Sequence, residues 1–364
     1  MTFSATEQRV LGAVTSLAVL IRVLAAWQFS WYNTDTLAYF DMASAIASGQ
    51  PIAYLPNGYP LLIVAVRAVV GETAAPVALV TLNVMLGALV VPLVAFIGAR
   101  TVSVRAGLAA AALLAIWPNQ INYTRQILTE APATAMLVLS VVTLLARREM
   151  TAGALAYAAV LLRTTLLPAA GLFAIWTWRV QGRAAAARYA VGLALVLGAE
   201  AALTGAGVVA PPANLGGNFL LATQMPDDGG RDFALTRFSD ADRAHPLRAY
   251  VTFAAEQPLT FVKLRLLSLW EMWGPWPDAG APTNPRSFAA RASIGLRFLL
   301  FVAALAGWYV LGTRDAWLLA IPLLSVTALH VVFFSMPRFT FTVEPFAIVL
   351  ATAAFLPRSP RPAV

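Results

Sequence analysis

The chain has 364 residues, 60% hydrophobic and only 12% charged, with no cysteine and a formal net charge of +8. Soluble domains carry roughly 45–50% apolar and about 25% charged residues, so a chain this apolar cannot cover its own surface and needs a bilayer as solvent. This excludes a disulfide scaffold, a disordered tail, thiolate or Cys-ligated zinc chemistry and a conventional soluble enzyme, and it predicts an all-α polytopic membrane protein.

In chain order, apolar stretches fall at about 10–29, 75–99, 106–117, 131–146, 152–162, 164–178, 189–209, 292–312, 316–335 and 341–357. They predict about ten transmembrane helices, several of them shorter than the roughly 20 residues of a full span. The first contains Arg22, lacks a small-x-small cleavage site and runs into a Trp-rich interface, so it reads as an anchor rather than a signal peptide. The pair 152–162 and 164–178 reads as a short helical hairpin or as one long helix interrupted at Arg163. Two long connections, 30–74 and 210–291, carry amphipathic segments instead of linker composition. In 35–48, Leu37, Phe40, Ala43, Ala45 and Ile46 form a helical stripe suited to a membrane surface; 257–273 does likewise, with Lys263 and Arg265 among Leu, Phe and Trp. Gly216, Gly217, Gly229 and Gly230 mark a loop between them. No repeat of 20–50 residues and no inverted symmetry is present, which disfavours many transporter folds.

Of the 25 basic side chains, all but Lys263 are arginine. With the N-terminus in the cytoplasm and ten spans, the inside connections hold Arg9, Arg100, Arg105, Arg147, Arg148, Arg179, Arg183, Arg188, Arg314, Arg358 and Arg361. That matches the positive-inside rule and predicts that both termini are cytoplasmic. Outside lie Asp35, Asp41, Glu72, Glu130 and the cluster Asp227, Asp228, Asp232, Asp240 and Asp242. No basic run with interleaved aromatics occurs, so no nucleic-acid partner is expected.

Several polar residues at span ends are candidates for chemistry. Asp35 follows the aromatic belt Trp27, Phe29, Trp31 and Tyr32 and shares a helix face with Tyr39; it reads either as a functional acid or as a dipole-stabilised helix start. Glu130 opens a long apolar run, with Arg125 five residues before it, and carries the same two readings. Arg338, flanked by aromatics, presents a planar fork suited to phosphate oxygens, or else snorkels to lipid headgroups. His330 reads as a core histidine bonded across helices, and Arg22 and Glu200 as intramembrane charges that pair with each other or with partners elsewhere. With His245 the only other histidine, no His-rich metal site is available.

The order of these features resembles the polyprenyl-phosphate-sugar-dependent glycosyltransferases of the GT-C superfamily, which include the protein O-mannosyltransferases and the lipid A aminoarabinose transferases. NTDTLAYFDMASAIASGQPIAYLPNGYPLLIVAV is similar to their first outer loop, with Asp35, Tyr39, Gly49, Gly58, Tyr59 and Pro60 at the matching positions. ILTEAPATAML resembles their second-loop acidic motif at Glu130, AAEQPLTFVKLRLLSLWEMW their late juxtamembrane helix, and HVVFFSMPRFTFTVEPF their terminal His/Arg/Pro signature. Many relatives have Asp-Glu where this chain has Asp35-Thr36, and the length leaves no room for a large soluble C-terminal domain, so the acceptor stays open.

The resemblance implies a single GT-C-like transmembrane domain over 1–364, with the catalytic acid in the 30–74 loop and a lipid-facing helix in the 210–291 loop. It implies a hexosyl- or pentosyltransferase of the cell envelope, in the bacterial inner membrane with its active site on the periplasmic side. A sugar passes from a polyprenyl phosphate to a hydroxyl of a glycan, lipid or protein, with inversion. Asp35 is then the general base and Glu130 the second catalytic carboxylate. Arg338, Arg125, Arg163, Lys263 and Arg265 are expected to bind the donor phosphate, and Tyr39, Tyr59 and His330 to orient substrate. No cofactor is required; any metal is expected to be Mg²⁺ or Mn²⁺ at Asp35 or Glu130. The competing class is a lipid-linked-sugar transporter or flippase.

Overall fold

The structure, a computed structural model, describes residues 3–52, 54–211, 214–224, 235–274 and 288–357, and among these there is no strand. Ten helices make up the first part: α1 (Ala5–Gln28), α2 (Thr34–Ala47), α3 (Gly58–Val70), α4 (Ala75–Thr101), α5 (Val104–Ala115), α6 (Pro118–Thr124), α7 (Glu130–Leu145), α8 (Glu149–Leu162), α9 (Leu167–Gln181) and α10 (Arg183–Gly205). Then follow α11 (Asn214–Leu221), α12 (Asp240–Ala244), α13 (Pro246–Glu256), α14 (Pro258–Trp273), α15 (Phe288–Leu311), α16 (Arg314–Val332) and α17 (Glu344–Phe355). Of the acidic cluster and loop glycines expected in the large connection, Asp227, Asp228, Gly229, Gly230 and Asp232 lie outside the described residues.

Each apolar stretch coincides with a helix, yet among the described residues only α1, α4, α10, α16 and the Ile294–Leu311 part of α15 are long and apolar enough to cross a bilayer. Their free faces are apolar: α1 exposes Leu17, Leu20 and Leu24, α10 exposes Val191, Leu195 and Leu197, and α15 exposes Leu299, Val302 and Val310. Lipid is the solvent that covers such faces, and the chain is a multi-pass membrane protein. The 12- to 16-residue helices α5, α7, α8 and α17 rise only about 18–24 Å. Most of α7 and nearly all of α17 is buried. Because protein rather than lipid surrounds these two, they end short of a full span, and the connections beyond them line the interior.

The 152–178 region forms two helices. The backbone is extended at Arg163, a 3-10 turn runs over Thr164–Leu166, and Pro168 opens α9. Glu149 on α8 accepts from Arg188 (3.0 Å) and Tyr157 donates to Glu200 (2.8 Å), so α8 and α10 run in the same direction. They cross at Gly153 and Gly192, the small-residue approach typical of membrane helices. A Cβ on Gly192 would stand 1.8 Å from the Met150 carbonyl oxygen, and one on Gly153 2.0 Å from that of Tyr189. Gly192→Ala therefore has to pry the helices apart, and thermal unfolding in nanodiscs is expected to register a loss of about 1–3 kcal/mol. Gly12→Ala, where a Cβ meets nothing within 4 Å, is the neutral control; equal melting of the two variants would contradict the crossing.

Arg22 and Glu200 do not pair. Arg22 is fully buried and donates to the carbonyls of Ala18 (3.2 Å), Ala115 (3.1 Å) and Leu114 (3.3 Å), so it caps the C-terminal end of α5, where the helix leaves acceptors without partners. The amphipathic helix in 35–48 exists as α2, but its apolar stripe is rotated from the expected one. Thr36, Tyr39, Met42, Ala43 and Ile46 are buried, whereas Leu37 is exposed.

Two ends of the bundle differ in character. At one end, Gln181 donates to the Leu144 carbonyl (3.1 Å), Arg188 meets Glu149 and Trp176 reaches the Arg314 carbonyl (2.8 Å), gathering the arginine-rich connections. At the other end lie the starts of α2 and α7, the end of α8 and the 337–340 turn.

Candidate active site

The floor of this second end is assembled by backbone pairing between distant segments. Ile127 N–H donates to the Trp31 carbonyl (2.9 Å), and Thr36 Oγ1 donates to the Ile127 carbonyl (3.0 Å). Asn83 on α4 donates to the Gln126 carbonyl (2.7 Å) and to Tyr59 Oη (3.2 Å). The start of α2 and the start of α7 are thereby fixed side by side. Asn33 caps α2, accepting from the backbone N–H of Asp35, and sets Asp35 in the first turn, where the helix dipole favours a carboxylate.

Two ion pairs occupy the space above. Arg338 Nη2 lies 2.7 Å from Asp35 Oδ2, with the two side chains 21% and 30% exposed. Arg163 Nη1 lies 2.8 Å from Glu130 Oε1, both nearly buried. The pairs form one group. Burial alone would lower the proton affinity of Arg338, but the neighbouring Glu130 and Asp35 carboxylates outweigh it and raise it above the ordinary arginine range. Phe339 lies beside both cations, its ring centroid 5.3 Å from the Arg163 guanidinium carbon and 5.6 Å from that of Arg338. Tyr39 is pushed well above the usual phenol range, by burial first and then by Glu130 and Asp35, so its hydroxyl stays protonated as a donor.

The expected site residues divide accordingly. Asp35, Glu130, Arg163, Arg338 and Tyr39 come together. Tyr59 is fully buried and meets Tyr39 edge-on at 5.2 Å, so it supports Tyr39 from behind. The glycine of the Gly-Tyr-Pro run has a steric reason: a Cβ on Gly58 would stand 2.6 Å from the Leu161 carbonyl oxygen. His330 is buried, with Nδ1 3.0 Å from the Phe334 carbonyl and its ring stacked on Phe339 at 4.2 Å, a place that supports the Phe339 ring.

Arg125, Lys263 and Arg265 are not brought to the group. Arg125 turns to the Ser30 carbonyl and to Asn122 Oδ1 (2.8 Å), beside Phe29, and Glu130 takes Arg163 in its place. Arg265 forks onto the carbonyls of Val332 and Ala222, at the ends of α16 and α11, where unpaired helical carbonyls attract a cation. Lys263 lies exposed on α14.

Glu344, which opens α17, is a further polar centre that the sequence reading passed over. It is fully buried and accepts from Asn119 Nδ2 (2.6 Å), Thr340 Oγ1 (2.8 Å) and Gln120 Nε2 (3.0 Å). It ties α6 to the turn that carries Arg338. Glu344→Ala removes the carboxylate that Thr340 donates to and leaves Asn119 and Gln120 with only their second acceptors, Thr340 Oγ1 (3.3 Å) and the Phe341 carbonyl (2.7 Å), a loss of about 1–3 kcal/mol, while Glu344→Gln keeps one acceptor oxygen. Thermal unfolding is expected to fall steeply for the first and less for the second; an unchanged melt for Glu344→Ala would contradict the network.

A divalent ion fits this site poorly. Hard cations seek about six oxygen ligands, and among the described residues no group of three acidic or histidine side chains exists. Each of the two clustered carboxylates already faces a guanidinium.

No protein-family model matches the sequence, and no curated protein matches it. Three solved structures of the oligosaccharyltransferase from Archaeoglobus fulgidus are similar in fold. With AglB in complex with an inhibitory peptide and a dolichol-phosphate the TM-score is 0.53 at 15% identity, covering 96% of this chain and 50% of that one. The apo form gives 0.54 at 17% identity with the same coverage, and the complex with zinc and sulfate 0.50 at 15%, covering 95% and 48%. The chain thus spans about half the length of these structures. At such identities the likeness is one of architecture, and the architecture it establishes for this chain is the GT-C fold.

Proposed function

We propose that the chain is an integral membrane glycosyltransferase that moves a sugar from a polyprenyl phosphate to an acceptor hydroxyl. The observation that carries this reading is the group Asp35–Arg338 and Glu130–Arg163, gathered from four separate parts of the chain at one end of a GT-C bundle. Of the similar solved structures, one holds a dolichol-phosphate, a lipid phosphate of the proposed donor class.

In this reaction Asp35 takes the proton of the acceptor hydroxyl as its oxygen attacks the anomeric carbon. The bond from that carbon to the phosphate oxygen breaks, and the electron pair leaves with the polyprenyl phosphate, whose added negative charge Arg338 and Arg163 stabilise. Asp35 then passes its proton to the departing phosphate or to water. Tyr39, held as a donor, orients the sugar or the acceptor. Glu130 fixes Arg163 against the donor. A metal has no step here; zinc is named for one similar structure, but the two carboxylates of this chain are held by arginines.

We place the site on the outer, periplasmic face of the inner membrane, because arginines gather at the opposite end of the bundle and the positive-inside rule assigns that end to the cytoplasm. The acceptor class remains a glycan, lipid or protein hydroxyl, and the sugar a hexose or pentose.

The test uses polyprenyl-phosphate sugars labelled in the sugar, offered to the protein in sealed proteoliposomes with envelope extract. Label bonded to an acceptor with inverted anomeric configuration supports the reading. Label that crosses the membrane still joined to its lipid would make the chain a transporter instead.

A further inference from the structure

Arg338 uses only part of its side-on edge. Nη2 holds Asp35, whereas Nε, on the same edge, is buried without a hydrogen-bond partner. A buried N–H with no acceptor is costly, so the guanidinium is poised for a second oxygen. A phosphate presents two oxygens at the spacing of that edge and would take Nε and Nη2 together. Asp35, an anion already bound to the same Nη2, competes with it for this guanidinium.

Resting on the transferase reading above, we propose that the donor phosphate displaces Asp35 from Arg338, so that the base is released only in the donor-loaded protein. The four side chains carry two positive and two negative charges, a balanced set in the resting state. An arriving phosphodiester replaces one carboxylate on Arg338 and leaves Asp35 beside a new anion without its cation. The Asp35 carboxylate is thereby freed to receive the acceptor proton, which is what a general base must do. Before donor arrives, the same carboxylate is held by the Arg338 guanidinium. The order of events is therefore donor first and acceptor activation second, a guard against deprotonating an acceptor with no sugar in place. Glu130 stays on Arg163, preserving one cation pair as the fixed wall of the site.

The exchange makes Asp35 a competitor of the lipid phosphate, and this has a readout apart from catalysis. Undecaprenyl phosphate is titrated into the full-length protein in phosphatidylcholine nanodiscs, for the wild type, Asp35→Asn, Arg338→Gln and the double variant. Asp35→Asn is expected to bind about three- to tenfold more tightly than wild type, the advantage of removing one charge-assisted competitor. In the Arg338→Gln background the same substitution is expected to change affinity far less, since there is no shared donor edge left. Equal or weaker binding by Asp35→Asn overturns the exchange. So does a gain of the same size in the Arg338→Gln background, which would reveal mere charge repulsion. Failure of wild type and every variant to bind the lipid phosphate overturns the transferase reading itself. An infrared difference spectrum on wild type, free of any folding question, completes the test: lipid phosphate should shift a carboxylate stretch that is missing in Asp35→Asn, and no shift overturns the exchange.

Discussion

Asp35→Asn is expected to lower sugar transfer by about 10²–10⁴-fold while leaving the protein folded, which makes it one of the two most damaging substitutions available here. The amide has nearly the shape of the carboxylate and keeps the hydrogen bond to Arg338, but it accepts no proton from an attacking hydroxyl. Folding is expected to survive because the Asp35 side chain is 30% exposed and the start of α2 is fixed independently by Asn33 and Thr36. A transfer assay at saturating donor, with thermal unfolding in parallel, checks both halves. The signature is a loss of turnover without a loss of donor affinity; a variant that turns over normally would remove Asp35 from the mechanism.

Arg338→Gln carries the second large effect, expected at about 10²–10³-fold in kcat/KM. The leaving lipid phosphate gains charge as the glycosidic bond breaks, and Arg338 is the more exposed of the two clustered cations, at 21% against 11% for Arg163. Arg338→Lys is expected to restore only part of the activity, because a point charge cannot present the side-on fork to two oxygens. Turnover and donor affinity should both suffer, unlike in Asp35→Asn. Comparable kinetics for Arg338→Gln and wild type would assign the phosphate to other residues.

Much of the architecture is legible in the sequence because hydrophobic periodicity and length are strong signals in a membrane chain. The helices fall where the apolar stretches do, and the break at Arg163 is where a charged residue followed by Pro168 interrupts them. What periodicity cannot tell is which side of a helix meets protein. The apolar stripe of α2 was expected to include Leu37, yet Tyr39 and Met42 turn inward and Leu37 outward. Helix shortness is similarly ambiguous: α7 and α17 end early because they are enclosed by neighbours, a property of the assembled bundle.

The site follows the same division. Asp35, Glu130 and Arg338 stand out as polar residues at span ends, where local sequence makes them conspicuous. Their partners do not. Proximity in sequence suggests Arg125 for Glu130, whereas the actual partner, Arg163, lies 33 residues away and is delivered by the end of α8. Lys263 and Arg265 sit in a basic amphipathic segment that looks suited to phosphate, but Arg265 is drawn to helix-end carbonyls, acceptors present only after folding. Glu344 hides among apolar residues at the start of α17, and its importance arises from the amides of Asn119 and Gln120 on another helix.

The central claim, that this end of the bundle cleaves a lipid-phosphate–sugar bond, is tested most directly by release of free polyprenyl phosphate. The purified protein in nanodiscs is given a panel of polyprenyl-phosphate sugars and crude membrane acceptors, with Asp35→Asn and Arg338→Gln alongside. Release from one donor that depends on both residues is the predicted result. No release from any donor, or release that persists undiminished in both variants, would contradict it.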